Sequence, residues 1–244
     1  MRVATWNLER GRTRRAVELQ ADVLNTVAAD VAVLTEPPSR YCSGIGVVTS
    51  PPARHGRNGM ESWVAIVGAG ITAVDLDIPF ERMAVAARLV TAQRSMIFYG
   101  SVLPWNAIRS HAPELVHGGE AATAVFMRLL REQLQDIGDL RRRFEHDEIV
   151  WAGDFNQTVT GPNRSGSHAK RRALVDALKS ARLEAWNGDA AHAKDGLCAV
   201  DLICGAPSER PTRLGRIEPV RDRVVMSDHA GYWVDLVSHG GSVE

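Results

Sequence analysis

Short β-rich runs recur through the first half of this chain and constrain its fold more than any other feature. Seven candidate strands, rich in β-branched and aromatic residues, lie before residue 105. They are Arg2–Trp6, Val31–Thr35, Ile45–Val48, Trp63–Val67, Ile71–Leu76, Met83–Val90 and Ser95–Val102. So many strands in so short a stretch predict at least one large β-sheet.

Helical periodicity lies between and after these strands. Apolar residues spaced three and four apart predict a crossover helix over Arg14–Ala29 and a longer helix within Gly119–Arg143. A third amphipathic helix is predicted over Lys170–Ala181. Further strands are predicted at Glu148–Ala152, Val200–Cys204 and Gly231–Val237.

The length and composition fit one domain, residues 1–244. The chain has 244 residues, 45% of them hydrophobic, which is ample for a sizeable core. The Gly-, Pro- and Arg-rich loops at Pro51–Gly59 and Gly161–Gly166 are too short to be domain linkers. The first fifteen residues lack the apolar segment of a secretory signal, and no apolar run is long enough for a membrane span. Three cysteines, an odd number, fit a reduced chain, so we expect a cytoplasmic protein.

Side chains suited to metal binding occur where predicted strands begin or end. They are Asn7 with Glu9, Glu36, Asp154 with Asn156, Asp201, and Asp228 with His229. Hard divalent cations such as Mg²⁺ prefer oxygen ligands and keep several waters, so one or two carboxylates plus a substrate phosphate suffice. Glu36 directly follows an apolar strand and is the best single ligand candidate. The set predicts metal-assisted attack on a phosphate.

Single members of this set also have structural interpretations. Asp154 could be a turn residue after Gly153, and Asp228 could cap its own loop. Asp201 lies inside an otherwise apolar strand, where a carboxylate without a partner is unfavourable. His229 is its natural partner, and we expect these two side chains to be in contact.

Five short motifs, in this order, resemble the endonuclease/exonuclease/phosphatase superfamily, which includes abasic-site endonucleases, deoxyribonuclease I and neutral sphingomyelinases. The motifs are Thr5–Glu9 (TWNLE), Leu34–Glu36 (LTE), Gly153–Asn156 (GDFN), Val200–Ile203 (VDLI) and Ser227–His229 (SDH). Each motif is weak alone, but the ordered set spans nearly the whole chain. The resemblance implies an α/β (α+β) four-layer sandwich, in which two central mixed β-sheets are flanked by helices and the site lies at one edge of the sheets.

The resemblance also implies a metal site. Glu36 would be the principal ligand of Mg²⁺, for which Mn²⁺ is a possible substitute. The side chains expected near the same cation or its waters are Asn7, Glu9 and Asp228.

The remaining motif residues are implied to act on water and phosphate. Asp154 and Asn156 would hold and polarise the attacking water and bind the phosphate. His229 would contact the scissile phosphate or transfer a proton, and Asp201 would fix its tautomer and orientation. Whether Asp154 or His229 activates the water stays open at this level.

One position departs from the family's pattern. Members usually carry a tyrosine or histidine on the central strand before the first long helix, where it assists phosphate binding. This chain has Ser101 or Val102 at that place. Candidates to replace it from the following loop are Asn106, Arg109 and His111.

The charge distribution bears on the substrate. Basic and acidic residues number 29 each, so the molecule as a whole does not attract nucleic acid. Local clusters of cations beside the motifs are either solvated faces or a track for phosphates. They are Arg10, Arg12, Arg14 and Arg15, and Lys170, Arg171 and Arg172.

Three functions follow from these observations. The leading hypothesis is a Mg²⁺-dependent phosphodiesterase, a nuclease acting on DNA or RNA. The alternative is a hydrolase of the same superfamily that acts on a small phosphoester or a phospholipid head group, which the neutral charge favours. A catalytically silent binding module is the third, and the complete set of metal-site side chains argues against it. The sequence indicates no protein partner.

Overall fold

The computed structural model describes residues 1–54, 60–162 and 165–237, and within them the chain forms sixteen strands. In chain order they are β1 (Arg2–Asn7), β2 (Val31–Thr35), β3 (Val47–Thr49), β4 (Ala53–Arg54), β5 (Met60–Glu61), β6 (Val64–Gly68), β7 (Ile71–Ala73), β8 (Ala84–Val90), β9 (Ser95–Val102), β10 (Glu148–Asp154), β11 (Glu184–Ala185), β12 (Asp201–Gly205), β13 (Arg213–Ile217), β14 (Val220–Arg221), β15 (Val224–Val225) and β16 (Gly231–Asp235).

Four α-helices connect these strands in the described ranges. They are α1 (Arg14–Val27), α2 (Ile108–His111), α3 (Ala122–Arg143) and α4 (His168–Ser180). Both α1 and α4 begin at a hydroxyl cap: Thr13 Oγ1 accepts from the backbone N–H of Ala16, and Ser167 Oγ accepts from that of Lys170. None of the helices in the described part of the chain is both long and apolar enough to cross a membrane.

Twelve of the strands form two six-stranded sheets. The order is β13-β16-β1-β2-β6-β3 in the first sheet and β11-β12-β10-β9-β8-β7 in the second. Each sheet is mixed, because β1 runs parallel to β2 and β9 runs parallel to β10 while the other pairs are antiparallel. Two-stranded ribbons, β4 with β5 and β14 with β15, extend from them.

The molecule has four layers. Strand β1 alternates between two cores, since Val3 joins the cluster between the sheets whereas Ala4 and Trp6 join a cluster with Leu19 of α1. Helix α1 therefore covers the outer face of the first sheet. Helices α3 and α4 contact each other and the second sheet. Helix, sheet, sheet and helices follow one another, which confirms the α/β sandwich with two central mixed sheets.

All ten predicted strands and all three predicted helices are present, with ends that shift by a few residues. Strand β13 was not predicted, because Arg213, Gly215 and Arg216 interrupt its apolar pattern and, as an edge strand, it pairs only with β16. Part of each predicted loop, residues 55–59 and 163–164, lies outside the described residues.

Candidate active site

Strand register brings the predicted site residues to one edge of the two sheets. Asn7 ends β1 opposite Thr35, which ends the parallel strand β2, so Glu36 lies beside Asn7. Asp154 ends β10 and lies directly opposite Asp201, the first residue of β12. The two pairs come from different sheets. Their side chains meet at the edge where the two sheets lie against each other.

These side chains line a cleft of about 380 Å³. Its walls carry four carboxylates, two amides, two imidazoles, an indole and an ammonium, from Asn7, Glu9, Glu36, Trp105, His111, Asp154, Asn156, Lys194, Asp228 and His229. Seven of the eight residues that the motifs predicted as catalytic or metal-binding are in this list. The eighth, Asp201, is buried directly behind His229.

The amide of Asn7 joins the two halves of the cleft. Its Nδ2 donates to Asp154 Oδ2 at 3.0 Å and to Glu36 Oε1 at 3.4 Å, while its Oδ1 accepts from the backbone N–H of Glu9 at 2.9 Å. Every hydrogen-bonding group of this side chain is engaged within the site. Asn7 therefore holds a carboxylate from each sheet in a fixed relation to the other.

Desolvation is the largest influence on the pKa of Glu36 and of Asp154. Burial raises the pKa of Glu36, and the nearby charge of Asp154 raises it further, whereas Arg10 lowers it. Burial also raises the pKa of Asp154. Two desolvated carboxylates that face each other attract a cation, and an all-oxygen donor set fits a hard divalent ion. Glu36, Glu9 and Asp228, which the sequence predicted as metal ligands, are three of the carboxylates that line this cleft.

His229 and Asp201 are in contact, as the sequence predicted. His229 Nδ1 lies 2.6 Å from Asp201 Oδ2, and its Nε2 lies 3.6 Å from Asp228 Oδ1 in the cleft. Burial alone lowers the pKa of His229, but the carboxylates of Asp201 and Asp154 raise it to about 10. Burial also raises the pKa of Asp201. A protonated ring donates from Nδ1 to Asp201 and from Nε2 into the cleft.

The loop that carries His229 is tied to the end of β1. Ser227 Oγ donates to Asn7 O at 2.7 Å and accepts from the backbone N–H of His229 at 3.0 Å. The backbone N–H of Asp228 donates to Glu9 Oε2 at 3.0 Å. The serine of the SDH motif is thus a structural link between two segments that are 220 residues apart.

Three site residues adopt a left-handed backbone conformation that residues other than glycine rarely adopt. The φ angles are 48° at Glu9, 46° at Glu36 and 50° at Asn156. Each costs on the order of 1 kcal/mol. Local hydrogen bonds hold two of these turns, from Glu36 N to Trp63 O and from Asn156 N to Asp154 Oδ1. Strain of this kind concentrates at sites where side-chain placement matters more than local stability.

The structure corrects the predicted role of Lys170. This side chain is only 1% exposed, its Nζ donates to Asn106 Oδ1 at 2.9 Å, and the ammonium lies over the ring of Phe126. Burial lowers the pKa of Lys170. A buried, bonded ammonium offers no surface to a phosphate, and Asn106 is engaged with it outside the cleft. Helix packing is the reason, since Lys170 occupies an inward position of α4.

The other predicted substrate-binding residues also lie outside the cleft lining. Arg171 donates to the backbone oxygens of Thr158 at 3.0 Å and Gly161 at 2.7 Å, so its guanidinium braces a loop. Arg109 and Arg172 are exposed on α2 and α4, but neither lines the cleft. No contiguous track from Lys170 to Arg172 faces the site.

Neither of the β9 residues at the position where the sequence departs from the family's pattern lines the cleft. Ser101 is buried and accepts from Trp151 Nε1 at 2.7 Å, and Val102 belongs to the core between the sheets. Of the three loop candidates, His111 alone lines the cleft, next to Trp105 with the ring centroids 6.2 Å apart. The loop after β9, and not the strand, supplies this wall.

Sequence reasoning missed His192 and Lys194, which lie in no motif. His192 is 6% exposed, its Nδ1 accepts from the backbone N–H of Lys194 at 3.0 Å, and its ring lies 5.4 Å from that of His229. Metal-ligating atoms of His192, Asp201 and His229 lie within 4.8 Å of one another. Because the Nδ1 atoms of both imidazoles are already hydrogen-bonded, this cluster is a bonded network and a weaker metal candidate than Glu36.

Comparison with known proteins finds proteins of similar structure but none of similar sequence. No protein-family model matches the chain, and no curated protein matches its sequence. The endonuclease domain of TRAS1, a telomere-specific non-LTR retrotransposon, superposes with a TM-score of 0.61 at 17% identity, over 96% of this chain and 97% of the other.

Two bacterial proteins give similar values. A 3'-5' exonuclease from Neisseria meningitidis has a TM-score of 0.65 at 14% identity, over 97% of this chain and 99% of its own. An endonuclease/exonuclease/phosphatase from Beutenbergia cavernae has a TM-score of 0.63 at 16% identity, over 100% of this chain and 73% of its own. At these identities the likeness establishes a shared fold over nearly the whole chain.

Proposed function

The chain has the fold of the endonuclease/exonuclease/phosphatase superfamily, and on that premise we propose that it hydrolyses phosphoesters, as a Mg²⁺-dependent phosphodiesterase acting on DNA or RNA. The observation that carries the proposal is the cleft, where Glu36, Asp154 and His229 converge from three separate chain segments onto one space. Nuclease names among the structural neighbours support nucleic acid as the substrate.

Glu36, with Glu9 and Asp228, would hold the cation. Bound there, Mg²⁺ supplies a Lewis acid that offsets the negative charge developing on phosphate oxygens. Asn7 keeps Glu36 and Asp154 in register through its two hydrogen bonds, so the proposed metal ligand and Asp154 face the same cleft. Mn²⁺ has the same preference for oxygen ligands and is expected to substitute.

Asp154 is our candidate for the group that activates water. Its Oδ1 accepts from the backbone N–H of Asn156 and its Oδ2 accepts from Asn7, so both oxygens are oriented. Burial raises its pKa, which makes it a better proton acceptor than an ordinary carboxylate at neutral pH. In the proposed step the water oxygen bonds to phosphorus, one of the water's protons passes to Asp154, and the bond from phosphorus to the leaving oxygen breaks.

His229 is our candidate for the donor to the phosphate or to the leaving oxygen. The hydrogen bond from Nδ1 to Asp201 fixes the ring, and the carboxylates around it keep it protonated, so Nε2–H faces the cleft as a donor. A protonated imidazole cannot also take the proton from water. We therefore propose that Asp154 activates the water and that His229 donates to the departing oxygen.

A small phosphoester or a phospholipid head group remains the second candidate substrate. Lys194 is the only lysine or arginine among the described residues that line the cleft. A long nucleic acid normally meets several cations. This scarcity, together with a formal charge of zero, is the specific observation in favour of the alternative.

A substrate panel tests the proposal. The purified protein is assayed with Mg²⁺, Mn²⁺ or EDTA on plasmid, single-stranded DNA, RNA, an abasic duplex, an inositol phosphate and a choline phospholipid. We expect metal-dependent cleavage of a nucleic acid, which EDTA and the Glu36→Gln variant both abolish. Cleavage of only the inositol phosphate or the phospholipid would transfer the proposal to the alternative, and no hydrolysis of any substrate would overturn it.

A further inference from the structure

Lys194 is placed at the cleft by a hairpin loop that the motifs do not include. This inference rests on the proposed phosphodiesterase function. The loop spans Ala191 to Cys198, which pair as an isolated β-bridge, and Leu197 N donates to Lys194 O. At its tip the side chain of Lys194 lines the cleft and is 65% exposed.

His192 fixes the conformation of this loop through two hydrogen bonds. Its backbone N–H donates to Leu197 O, its Nδ1 accepts from the backbone N–H of Lys194, and its ring packs against His229. Arg216 donates to the carbonyl oxygens of Ala191 and His192, which ties the base of the loop to β13. The backbone that carries Lys194 is therefore fixed relative to the imidazole of His229.

Stability does not explain the position of Lys194. Its nearest acidic partner is Asp228, with Nζ 3.9 Å from Oδ2, and both side chains are largely open to solvent, at 65% and 41% exposure. Such an exposed, long ion pair contributes little to folding. Lys194 thus lies on a well-anchored loop and lines the cleft, although its ion pair contributes little to the stability of the fold.

The negative charge of the cleft indicates a role for Lys194 in binding a phosphate. Four carboxylates line the walls and repel a phosphate, and Lys194 is the only lysine or arginine among the described residues that line the cleft. Arg10 and Arg12 lie nearby, but they are paired with Glu36 and Glu9. An ammonium at the rim is a strong point-charge donor to phosphate oxygens.

We propose that Lys194 is a phosphate-binding residue of this site: its ammonium leaves Asp228 when substrate binds and donates to a non-bridging oxygen of the phosphodiester. His192 is the positioning residue, because it fixes the loop that brings Lys194 to the same phosphate as His229. The exchange would also leave Asp228 without its ammonium partner and available as a ligand of the proposed cation. The ligand class is a phosphate anion that contacts the ammonium of Lys194 and the Nε2 edge of the His229 ring.

The composition of the chain permits a direct test. It has three lysines, Lys170, Lys179 and Lys194, of which Lys170 is buried and Lys179 is exposed on α4 outside the cleft lining. Reductive methylation with ¹³C-formaldehyde labels lysines and keeps their charge. The variant Lys194→Arg identifies the Lys194 signal by its loss, and Lys179→Arg identifies its control.

Inorganic phosphate is then titrated into the labelled protein, with and without Mg²⁺. We expect the Lys194 signal to move saturably while the Lys179 signal stays in place. A Lys194 signal that does not move, or equal movement of both signals, would overturn the proposal even if the protein hydrolyses phosphodiesters. Movement of Lys194 alone in a protein that hydrolyses nothing would support the phosphate site and contradict the proposed function instead.

Kinetics provide the second measurement. The loss of one charged hydrogen bond predicts that Lys194→Met raises KM about tenfold to a hundredfold with a smaller change in kcat. Lys194→Arg is expected to restore most of the affinity, because a guanidinium also binds phosphate. Lys179→Met is the matched control and leaves KM unchanged. Equal KM values for Lys194→Met and the parent protein would contradict the assignment.

Discussion

At the scale of single residues, the candidate site contains carboxyl groups in buried positions, where desolvation disfavours the charged form. Asp154 and Asp201 are almost completely buried, directly opposite each other on β10 and β12. Each is compensated by a partner, Asn7 for Asp154 and His229 for Asp201. Buried carboxylates of this kind decrease the stability of the fold unless such partners or a cation offset them.

The first prediction concerns Glu36 and the metal. Its folded-state pKa is raised, so the ionised side chain weakens the metal-free fold once the pH is above that pKa, and Glu36→Gln removes this effect. We expect Glu36→Gln to have an equal or higher Tm without metal, but no Mg²⁺-dependent rise in Tm and no hydrolysis. Thermal unfolding with increasing Mg²⁺ measures this. The exposed Glu184→Gln is the control, and a Mg²⁺-dependent rise in Glu36→Gln equal to that of the parent would refute the ligand assignment.

The second prediction concerns Asp201 and the pH profile. The carboxylate raises the pKa of His229, so the protonated, active form persists to high pH in the parent protein. Asp201→Asn removes that charge and lowers the pKa of His229. The fall of kcat/KM on the alkaline side should therefore begin at lower pH.

A control variant and a double variant complete the Asp201 experiment. Asp235→Asn disrupts an ion pair with Arg2 far along β16 and should leave the pH profile unchanged. If Asp201 and His229 act as a unit, the double variant with His229→Ala should lose little more activity than either single variant. Multiplicative losses, or an alkaline limb that stays in place, would show that the pair does not work together.

At the scale of elements, two helices brace the sheets with buried glutamines. Gln20 of α1 donates to Leu8 O at 2.9 Å and to Met226 O at 2.7 Å. Gln133 of α3 donates to Arg82 O at 2.9 Å and to Val102 O at 3.0 Å. The first of these links the residues that follow Asn7 and precede Ser227, so α1 holds together two segments of the candidate site.

The third prediction concerns Gln20. Gln20→Met keeps the volume but leaves two buried carbonyl oxygens with one hydrogen bond fewer, so the free energy of unfolding should fall by about 2 kcal/mol or more. Mg²⁺ affinity should also weaken, because the segments that carry Glu9 and Asp228 lose one of the contacts that hold them together. Urea unfolding and calorimetric titration measure the two effects. Gln135→Met, at an exposed position of the other helix, should change neither, and a fully stable Gln20→Met would disprove the brace.

At the scale of the whole molecule, the charge balance limits how the protein can bind a polyanion. The formal charge is zero, and the cluster once expected to form a track is partly internal, since Lys170 is buried and Arg171 braces a loop. We therefore expect the binding energy for a nucleic acid to come mainly from the cleft and its rim. Only a few phosphates can be neutralised there.

The fourth prediction follows from this balance. If the substrate is a nucleic acid, the slope of log(1/KM) against log[salt] should correspond to fewer than about three phosphates neutralised. Arg172→Gln should leave that slope unchanged, whereas Lys194→Met should reduce it by roughly one. Steady-state kinetics on a long DNA or RNA at several salt concentrations provide the values. A slope equivalent to six or more phosphates would reveal a basic surface elsewhere on the molecule.

The kinds of side chain at the site, and the elements that carry them, were predictable from the sequence. Strand and helix periods are local properties, so ten strands and three helices could be predicted segment by segment. Asp201 within an apolar strand indicated a partner, and His229 is that partner. The ordered motifs predicted the sandwich that the structure and its neighbours share.

Proximity and burial were decided only by the tertiary structure. Lys170 and Lys194 have the same chemistry, but helix packing places the first against Phe126 and Asn106, whereas a loop fixed by His192 places the second at the cleft. Ser101 had the expected position, and its hydroxyl accepts from Trp151 instead of facing substrate. Exposure depends on contacts between residues that are distant in the chain, which a local pattern does not contain, so the sequence determined the chemistry available and the packing determined which groups a substrate can reach.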